Sequence, residues 1–422
     1  MDKFVINGRR KLSGSVALSG SKNAALPIMA ACLLADGPCE LDRVPDLADV
    51  RATVALLGDL GMDIARNDSG VMRLHVRDLA PCHAQYDRVR KMRASICVLG
   101  PLLARRGKAR VAMPGGCAIG SRPVNLHLRG LRALGAKIEL DGGDIVASAD
   151  RLKGAEIFLG GPFGSTVLGT ANVMMAAALA KGTTVLESAA CEPELVDLAD
   201  FLNAMGARIR GAGSPRVTIE GVESLTGKAH SVIPDRIEAG TFLVAGALGG
   251  GPVNVLGARA DHLMAAIDAL REIGVNVESS SAGIEVAAPD RPLNPCEITT
   301  HPHPGFPTDL QAQFMVLLSL AAGNSALTEK VFPDRFMHVA ELLRMGADIR
   351  KEGPIALISG VKELVGAPVM ASDLRASAAL VLAGLVARGR TDIARVYHID
   401  RGYEHIESKL NTLGADIRRI SE

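Results

Sequence analysis

Tryptophan is absent from this chain of 422 residues, and aromatic residues together make up only 3% of it. Proteins that bind single-stranded nucleic acids stack bases on aromatic side chains, so this scarcity argues against such a platform. An excess of either charge is also lacking, because 47 Lys and Arg are balanced by 46 Asp and Glu. A nucleic-acid surface usually carries a strong positive excess, so this class of partner is not expected.

The cysteines form no C-x-x-C pair, and their number, seven, is odd. This pattern argues against a disulfide framework or a zinc site and favours a reducing compartment. The first ten residues, MDKFVINGRR, lack the apolar core of a secretion signal. The longest mainly apolar run, ANVMMAAALA, is about half of the ~20 residues that a membrane span needs. We therefore expect a cytoplasmic protein that does not cross a membrane.

A repeated motif runs through the whole sequence: Leu, two residues, an apolar residue, Gly, an apolar residue, any residue, then Ile or Val. Its six copies lie about 70 residues apart, and their glycines are Gly61, Gly135, Gly206, Gly274, Gly346 and Gly414. Glycine closes helix C-termini in the left-handed conformation, and the β-branched residue favours a strand. Each copy therefore predicts a helix end, a glycine cap and a strand.

A second series of segments, one per repeat, is rich in Ala, Leu, Val and Met on nearly all faces, as in TVLGTANVMMAAALAKG. Helices of this composition are buried, whereas segments such as PELVDLADFLNAMG are amphipathic and predict outer helices. The predicted fold class is α/β: a two-domain inside-out α/β barrel with buried helices and outer sheets. The six repeats divide naturally into three per domain.

Polar residues collect at the predicted first turns of the buried helices: Lys22 and Asn23, Lys91 and Arg93, Thr166, Arg236 and Glu238, Asp309, and Asp373 and Arg375. Helix N-termini offer free N–H groups and a partial positive charge, which suits an anion. Cations at these positions favour an anionic ligand, although solvated helix ends are the alternative. Pro27 predicts a kink, or a helix that begins just after Asn23, with Lys22 and Asn23 on an exposed corner.

A single thiol, Cys117, lies in the glycine-rich stretch VAMPGGCAIGSRP, which has the composition of a mobile lid. Nearby cations such as Arg122 lower the pKa of a thiol, so Cys117 could donate a proton or act as a nucleophile. The alternative is a small apolar loop residue. Asp309 is a candidate base, or else a residue that matches the helix dipole beside the capping Thr308. His301 and His303 give only a weak metal signal, and a structural loop is favoured there.

Long motifs in this sequence resemble the UDP-N-acetylglucosamine enolpyruvyl transferase family, also called UDP-N-acetylglucosamine 1-carboxyvinyltransferases. The resemblance covers about residues 1 to 420, and the motifs that carry it are SGSKNAALPI, KMRAS, PGGCAIGSRPVNLH, PDRIEAGTFLVA, HPGFPTDLQAQF, VFPDRFMHVAEL, ASDLRASAALVLAG and IDRGYEHIESKL. It implies one discontinuous domain, 1–21 and 234–422, with 22–233 inserted as the other. It also implies transfer of the enolpyruvyl group of phosphoenolpyruvate to the 3-hydroxyl of UDP-N-acetylglucosamine with release of phosphate, the committed step of peptidoglycan precursor synthesis. The family reaction is an addition followed by an elimination, without metal or redox cofactor.

The resemblance also implies roles for individual residues. Lys22, Arg122 and Arg401 would hold phosphoenolpyruvate, with Arg335, Asp373 and Arg375 near the reacting centre. Cys117 would protonate the methylene carbon and would be the residue that fosfomycin alkylates, while Asp309 would orient or deprotonate the sugar hydroxyl. The nucleotide sugar would contact Asn23, Arg93, Arg122, Pro123, Val124, Asn125, Leu126, Ser165, Thr166, Val167 and Val331.

This chain departs from common family patterns in its nucleotide-binding segments. Asn125 stands where relatives often have Asp, no lysine lies near Gly164, and Pro333-Asp334 precedes Arg335 where some relatives have Glu-Asn. Three alternatives remain at this stage: a shikimate-type enolpyruvyl transferase, a non-catalytic paralogue that binds the nucleotide sugar, and an RNA-end-processing enzyme. The cysteine motif argues against the first, the intact candidate acid, base and cations against the second, and the balanced charge against the third.

Overall fold

A computed structural model describes residues 2–114 and 124–421 of the chain. Cys117, Arg122 and Pro123 lie outside the described residues. The described chain divides into two compact units. We call residues 2–19 and 234–421 the terminal unit, and residues 20–114 and 124–233 the inserted unit.

The strands of the described residues are short, as expected for a repeating α/β chain. In chain order they are β1 (Lys3–Asn7), β2 (Gly14–Ala17), β3 (Ala35–Asp36), β4 (Cys39–Asp42), β5 (Met62–Arg66), β6 (Met72–Val76), β7 (His83–Ala84), β8 (Lys108–Ala112), β9 (Lys137–Asp141), β10 (Asp144–Ser148), β11 (Glu156–Phe158), β12 (Thr183–Glu187), β13 (Arg208–Arg210), β14 (Arg216–Glu220), β15 (Leu225–Thr226), β16 (Ala229–Ser231), β17 (Val253–Leu256), β18 (Asn276–Ser280), β19 (Gly283–Ala287), β20 (Glu297–Thr299), β21 (Asn324–Thr328), β22 (Asp348–Glu352), β23 (Ile355–Ser359), β24 (Pro368–Met370), β25 (Arg390–Ala394) and β26 (Ile417–Ile420).

The α-helices of the described residues alternate with these strands. They are α1 (Lys22–Ala31), α2 (Ala48–Asp59), α3 (Tyr86–Val89), α4 (Leu99–Arg106), α5 (Asn125–Ala133), α6 (Val167–Ala177), α7 (Pro193–Ala204), α8 (Arg236–Gly249), α9 (Met264–Ile273), α10 (Gln311–Leu318), α11 (His338–Arg344), α12 (Leu374–Val386) and α13 (Ile406–Thr412). Short 3-10 helices precede or follow some of them, at Cys32–Leu34, Arg93–Val98, Ala260–His262, Thr308–Leu310 and Val396–Arg401.

Within the described residues, six four-stranded sheets share one topology, in which an edge strand runs parallel to its neighbour and the other two pairs are antiparallel. The terminal unit holds the sheets β24-β25-β1-β26, β18-β19-β17-β2 and β20-β21-β23-β22. The inserted unit holds β16-β4-β6-β5, β7-β8-β10-β9 and β11-β12-β14-β13. This sixfold repetition confirms the repeat that the glycine motif predicts.

Strands distant in sequence complete three of these sheets. β1 lies between β25 and β26, so the first and last strands of the described residues share one sheet. β2 is the parallel edge strand beside β17, although the whole inserted unit lies between them in the sequence. In the inserted unit, β16 returns to pair with β4. Each unit is thus closed by a strand from the other end of its own sequence.

The helices at the centre of each unit are those that the apolar segments predict. In the terminal unit, α10 is buried at every residue, and α8 and α12 expose only a few. α1 and α6 are equally buried in the inserted unit. Each unit has its own continuous hydrophobic core, which confirms the predicted two-domain fold with buried helices.

The six motif glycines all adopt positive φ angles, between 84° and 113°. Such angles are readily available only to glycine, so each ends an outer helix before a strand as predicted. The predicted second buried helix differs: it is divided into the 3-10 helix Arg93–Val98 and α4, so Lys91 lies in the preceding turn. No helix of the described residues is long and apolar enough to cross a bilayer.

Candidate active site

The carboxylate of Asp309 lies between two arginine side chains of the terminal unit. Its Oδ1 atom is 2.7 Å from Nη1 of Arg335, and its Oδ2 atom is 3.1 Å from Nη2 of Arg375. Both arginines are buried, with 6% and 3% of their surface exposed, whereas the Asp309 side chain keeps 26%. Charge-assisted hydrogen bonds in a buried setting fix the positions of all three groups. The cluster therefore holds a partly exposed carboxylate between two buried guanidinium groups.

The buried carboxylate of Glu329 fixes the backbone that carries this cluster. One of its oxygens accepts a hydrogen bond from the amide of Val331 at 2.9 Å, and the other accepts one from the hydroxyl of Thr308 at 2.9 Å. Nη1 of Arg335 in turn donates to that hydroxyl at 3.1 Å. The expectation that Thr308 caps the helix is wrong, because its hydroxyl serves Glu329 instead. Glu329 thereby joins the turn before α10 to the segment that contains Val331.

Arg375 occupies the first turn of α12, directly behind the capping residue Asp373. Oδ1 of Asp373 accepts hydrogen bonds from the amides of Arg375 and Ala376 at 2.9 and 3.1 Å. Asp373 thus contacts the backbone of Arg375, whereas the guanidinium points to Asp309. Burial lowers the pKa of Arg375, but the negative charge of Asp309 outweighs this effect and raises it, so the residue remains a cation.

Arg401 ends the 3-10 helix Val396–Arg401 and is half-buried. Burial lowers the pKa of His398, Arg401 lowers it further, and Asp373 opposes both effects. Arg401 and Asp373 are therefore both close enough to one imidazole to influence its charge. This places Arg401 near the N-terminus of α12, which carries Arg375.

Lys22 is the first residue of α1 in the inserted unit, capped by Ser21. Its ammonium lies 3.3 Å from the carboxylate of Asp49, and both residues are buried, with 9% and 4% of their surface exposed. The prediction that Pro27 leaves Lys22 on an exposed corner is wrong, because α1 begins at Lys22 and holds Pro27 in its interior. Asn23 follows in the same turn and is half-buried.

The segment that begins α5 carries three of the predicted nucleotide contacts, and its fourth residue, His127, anchors it. Val124 is buried, Leu126 is half-buried and Asn125 is exposed. The Nδ2 atom of Asn172, on α6, lies 3.1 Å from Nδ1 of His127.

The orientation of Asn172 is set by two backbone groups. Its Oδ1 accepts from Gly100 at 2.6 Å, and its Nδ2 donates to the carbonyl of Ile96 at 2.9 Å. The imidazole nitrogen facing Nδ2 must therefore accept, which places the proton of neutral His127 on Nε2. Burial, followed by the charge of Arg93, lowers the pKa of His127 to about 4, so it is neutral at pH 7. Arg93 thus lies near the segment that carries Val124 to Leu126.

Ser165, Thr166 and Val167 form the entry to α6, and all three are half-buried. The hydroxyl of Thr166 accepts from the amide of Gly169 at 3.2 Å and caps the helix. Before them, Gly161 and Gly164 exchange backbone hydrogen bonds of 2.8 and 3.1 Å. This tight turn leads into α6, and it contains no lysine where some relatives have one.

The described residues thus bring together two sets of predicted site residues. In the terminal unit Asp309 is in direct contact with both Arg335 and Arg375, and Val331, Asp373 and Arg401 lie on segments joined to this cluster. In the inserted unit, Lys22 and Asn23 share the first turn of α1, and Arg93 lies near the start of α5. Among residues 2–114 and 124–421, no three His, Cys, Asp or Glu side chains are arranged to hold a metal ion.

Comparison with known proteins assigns the family. The family model described as EPSP synthase (3-phosphoshikimate 1-carboxyvinyltransferase) matches residues 6–410. A UDP-N-acetylglucosamine 1-carboxyvinyltransferase of Anaeromyxobacter dehalogenans (strain 2CP-1 / ATCC BAA-258) is 57% identical over the full length of both chains. The chain belongs to the UDP-N-acetylglucosamine 1-carboxyvinyltransferase family. A member from Trichlorobacter lovleyi is 54% identical over the full length of both chains, and one from Myxococcus xanthus is 54% identical over 99% of each.

Solved structures confirm the fold of the family in this chain. The enolpyruvyl transferase NikO from Streptomyces tendae matches with a TM-score of 0.89 and 26% identity, over 100% of this chain and 99% of that one. EPSP synthase from Acinetobacter baumannii matches at full coverage of both chains with a TM-score of 0.76 and 20% identity, which supports the fold alone. As a member of this family, the chain is a transferase enzyme.

Several residues that hold the candidate site were not identified from the sequence. Asp49 pairs with Lys22 from the next helix, Glu329 supports the Asp309 turn, and Asn172 orients His127. Tyr403 lies in the quoted motif IDRGYEHIESKL but had no assigned role. Each contact joins residues at least 21 positions apart, so no local pattern reveals it.

Proposed function

We propose that this enzyme transfers the enolpyruvyl group of phosphoenolpyruvate to the 3-hydroxyl of UDP-N-acetylglucosamine and releases inorganic phosphate. The observation that carries the proposal is full-length identity of 57% to a relative named for this reaction. The geometry of the terminal unit supports it, because a carboxylate between two fixed arginines suits proton transfer beside an anionic substrate. The product would enter peptidoglycan precursor synthesis.

Phosphoenolpyruvate carries a phosphate and a carboxylate, so its site needs several cations. We assign its binding to Lys22, Arg122 and Arg401, with Arg335 and Arg375 beside them. Guanidinium groups suit bidentate contacts with either anion, and the buried ammonium of Lys22 adds a point charge.

The addition step moves two protons. Cys117 gives its proton to the methylene carbon of phosphoenolpyruvate, and the sugar oxygen forms a bond to the adjacent carbon while its proton passes to Asp309. In the elimination, the thiolate left on Cys117 takes a proton back from the new methyl group, and phosphate departs with the C–O bonding pair and the proton held by Asp309, which restores the vinyl group and both side chains. Asp373 and Arg375 lie beside this reacting centre in the proposal.

The nucleotide sugar is assigned to Asn23, Arg93, Arg122, Pro123, Val124, Asn125, Leu126, Ser165, Thr166, Val167, Asp309 and Val331. The anchored start of α5 and the capped start of α6 support this assignment, because both present backbone N–H groups in fixed positions. Asn125 retains hydrogen-bonding capacity without charge, so we expect an amide-type contact where many relatives have a carboxylate.

We further propose the domains 1–21 with 234–422, and 22–233, with the loop at 111–123 closing over both substrates. Closure of such a loop keeps water away from the reacting atoms. Cys117 on this loop is the proposed target of fosfomycin. The proposed location of the reaction is the cytoplasm, since the six described cysteines are free thiols, as suits a reducing compartment.

A product assay tests the function directly. Purified enzyme is incubated with phosphoenolpyruvate and UDP-N-acetylglucosamine, and phosphate release and the mass of the nucleotide product are measured. We expect one phosphate per enolpyruvyl-nucleotide formed. Tight nucleotide binding by calorimetry without any product would instead indicate a non-catalytic binding protein.

A shikimate-type activity is the second candidate, because the matching family model is described as 3-phosphoshikimate 1-carboxyvinyltransferase. The same assay with shikimate 3-phosphate as the acceptor separates the two reactions. Turnover with shikimate 3-phosphate and none with the nucleotide sugar would replace our proposal.

A further inference from the structure

A buried tyrosine lies beneath the Asp309 cluster. Tyr403 is 2% exposed, and the guanidinium carbon of Arg375 lies 5.4 Å from the centroid of its ring. This is the geometry of a cation–π contact, which is strong where water is excluded. Arg375 is therefore held on one side by the carboxylate of Asp309 and on another by the ring of Tyr403.

The hydroxyl of Tyr403 reaches the backbone of Asp309 through one glutamine. Nε2 of Gln313 donates to the carbonyl of Asp309 at 3.0 Å and lies 3.2 Å from the hydroxyl of Tyr403. The Tyr403 hydroxyl is also 2.8 Å from Oγ1 of Thr241, whose own proton goes to the carbonyl of Ile237 at 2.9 Å. Tyr403 therefore donates to Thr241 and accepts from Gln313.

These contacts form a closed circuit around Asp309. From its carboxylate the circuit runs through Arg375 to the ring of Tyr403, and from the hydroxyl of Tyr403 through Gln313 back to the Asp309 carbonyl. The carboxylate and the backbone carbonyl of Asp309 are thus both linked to the side chain of Tyr403. This side chain has only two rotatable bonds between carbon atoms.

The same residue is tied to Arg401 by a tight backbone contact. Only Gly402 separates Arg401 from Tyr403, and the amides of Gly402 and Tyr403 both donate to the carbonyl of Ile399 at 3.0 Å. A Cβ atom at Gly402 would lie 2.6 Å from a methyl group of Leu374, the residue before Arg375. The segment with Arg401 is therefore pressed against the start of α12.

We propose that Tyr403 is a positioning residue that sets the mutual geometry of Asp309, Arg375 and Arg401 for the transfer step. The inference rests on the proposed function of these three residues. Tyr403 is buried and acts through its neighbours, with the ring placing Arg375 and the hydroxyl placing the Asp309 turn. A residue that only fills the core would affect stability without affecting the chemical step selectively.

Two substitutions at this position separate the ring from the hydroxyl. Tyr403→Phe keeps the ring and the volume, and we expect kcat to fall about 10-fold with little change in the melting temperature. Tyr403→Leu also removes the cation–π contact, and we expect kcat to fall about 100-fold, as for displacement of a reacting group by about 1 Å. KM for the nucleotide sugar should stay within about threefold in both, because most of its proposed contacts, such as Asn23, Arg93 and Thr166, belong to the inserted unit.

Matched controls distinguish positioning from core packing. Phe242→Leu removes a buried ring beside Thr241 on α8, and should lower the melting temperature without a comparable loss of kcat. Thr241→Val removes the partner of the Tyr403 hydroxyl and should reproduce the effect of Tyr403→Phe, with the double variant no slower than either single one. The two variants Tyr403→Phe and Thr241→Val keep the test valid if Tyr403→Leu does not fold.

The outcomes separate this inference from the proposed function. Wild-type enzyme that makes no product with the nucleotide sugar refutes the function. Active wild type, with Tyr403→Phe and Thr241→Val both retaining full kcat and an unchanged pH–rate profile, overturns the positioning role of the hydroxyl. If Tyr403→Leu folds and loses no more kcat than Phe242→Leu, the role of the ring is overturned as well.

Discussion

Asp309 and Arg375 are 66 positions apart in the sequence, yet Oδ2 of one lies 3.1 Å from Nη2 of the other. Arg335 approaches the second carboxylate oxygen at 2.7 Å. One carboxylate thus neutralises part of the charge of two buried guanidinium groups. Its loss would affect both the chemistry and the local fold.

We predict that Asp309→Asn lowers kcat by at least about 100-fold, because an amide cannot accept the proton of the sugar hydroxyl. The free energy of unfolding should fall by about 3 kcal/mol, since two buried cations lose their counter-ion. Steady-state kinetics and urea denaturation measure the two effects. The control, Asp373→Asn, keeps the cap of α12, so its unfolding free energy should remain close to wild type. Equal loss of stability in both variants would contradict the proposed ion cluster.

A second prediction concerns the support of Lys22. Asp49→Asn should raise KM for phosphoenolpyruvate about 10-fold, because the buried ammonium, 3.3 Å from this carboxylate, loses its counter-charge and its fixed position. Thr53→Val, which removes a hydroxyl bonded to the Asp49 carbonyl, is the matched control on the same helix and should have little effect. An unchanged KM in Asp49→Asn would show that Lys22 needs no carboxylate partner.

A third prediction concerns two buried histidines, which should lower the free energy of unfolding in acid. Burial is the main cause that lowers the pKa of His127 and of His338 from 6.5 to about 4. Between these values the unfolded chain binds more protons than the folded one, so stability falls as the pH falls from 6.5 towards 4. Each residue should contribute roughly 2 kcal/mol of this loss between pH 6.5 and pH 5. Urea denaturation at several pH values tests this prediction. The free energy of unfolding of His127→Asn should change less steeply with pH than that of the wild type. An identical dependence on pH in both proteins would refute the assignment for His127.

Glu238 has the opposite effect on the pH dependence. Burial raises its pKa from 4.5 to about 7, despite the opposing contact with Lys409 at 2.7 Å. The folded state binds the extra proton between these values, so this residue's contribution to stability is present below pH 4.5 and is lost as the pH rises through 7. Glu238→Gln should therefore gain stability relative to wild type as the pH rises from 5 to 8, by an amount on the order of 3 kcal/mol at most. A constant difference between the two proteins across that range would be inconsistent with a raised pKa.

The role proposed for Cys117 leads to a prediction on inhibition. Cys117→Ala should abolish or severely reduce turnover at neutral pH with the fold intact, because no acid is left for the methylene carbon. Cys117→Asp should keep activity and resist fosfomycin, since a carboxylic acid can donate the proton but is not alkylated as a thiolate is. Activity is measured after incubation with a stoichiometric amount of the epoxide. Full wild-type activity after that treatment would rule out an exposed reactive thiol.

Local patterns in the sequence predicted the repeats because their causes are local. A glycine such as Gly206 is required by a positive φ angle at one residue, and helices such as α6 are recognised by composition alone. The same reasoning failed at Lys22, where Pro27 suggested an exposed corner. There the hydroxyl of Ser21 caps α1 by accepting from the amide of Ala24, and the ammonium of Lys22 is buried beside Asp49 of the next helix, a contact that no local pattern reveals.

The resemblance to the family supplied the candidate residues, but not their partners. It named Asp373 with Arg375, whereas the side-chain contact of Arg375 is with Asp309 and the ring of Tyr403. Such pairings depend on how sheets and helices from different repeats meet. They require coordinates, because charged residues are too frequent in the sequence for pairing to be deduced from type.

The strand β1 is enclosed by β25 and β26, which come from the last part of the chain. During synthesis on the ribosome, this sheet of the terminal unit therefore cannot be completed until β26 has emerged. The inserted unit has all its strands once residue 233 has left the exit tunnel. We expect the inserted unit to fold first, while β1 waits for β25 and β26.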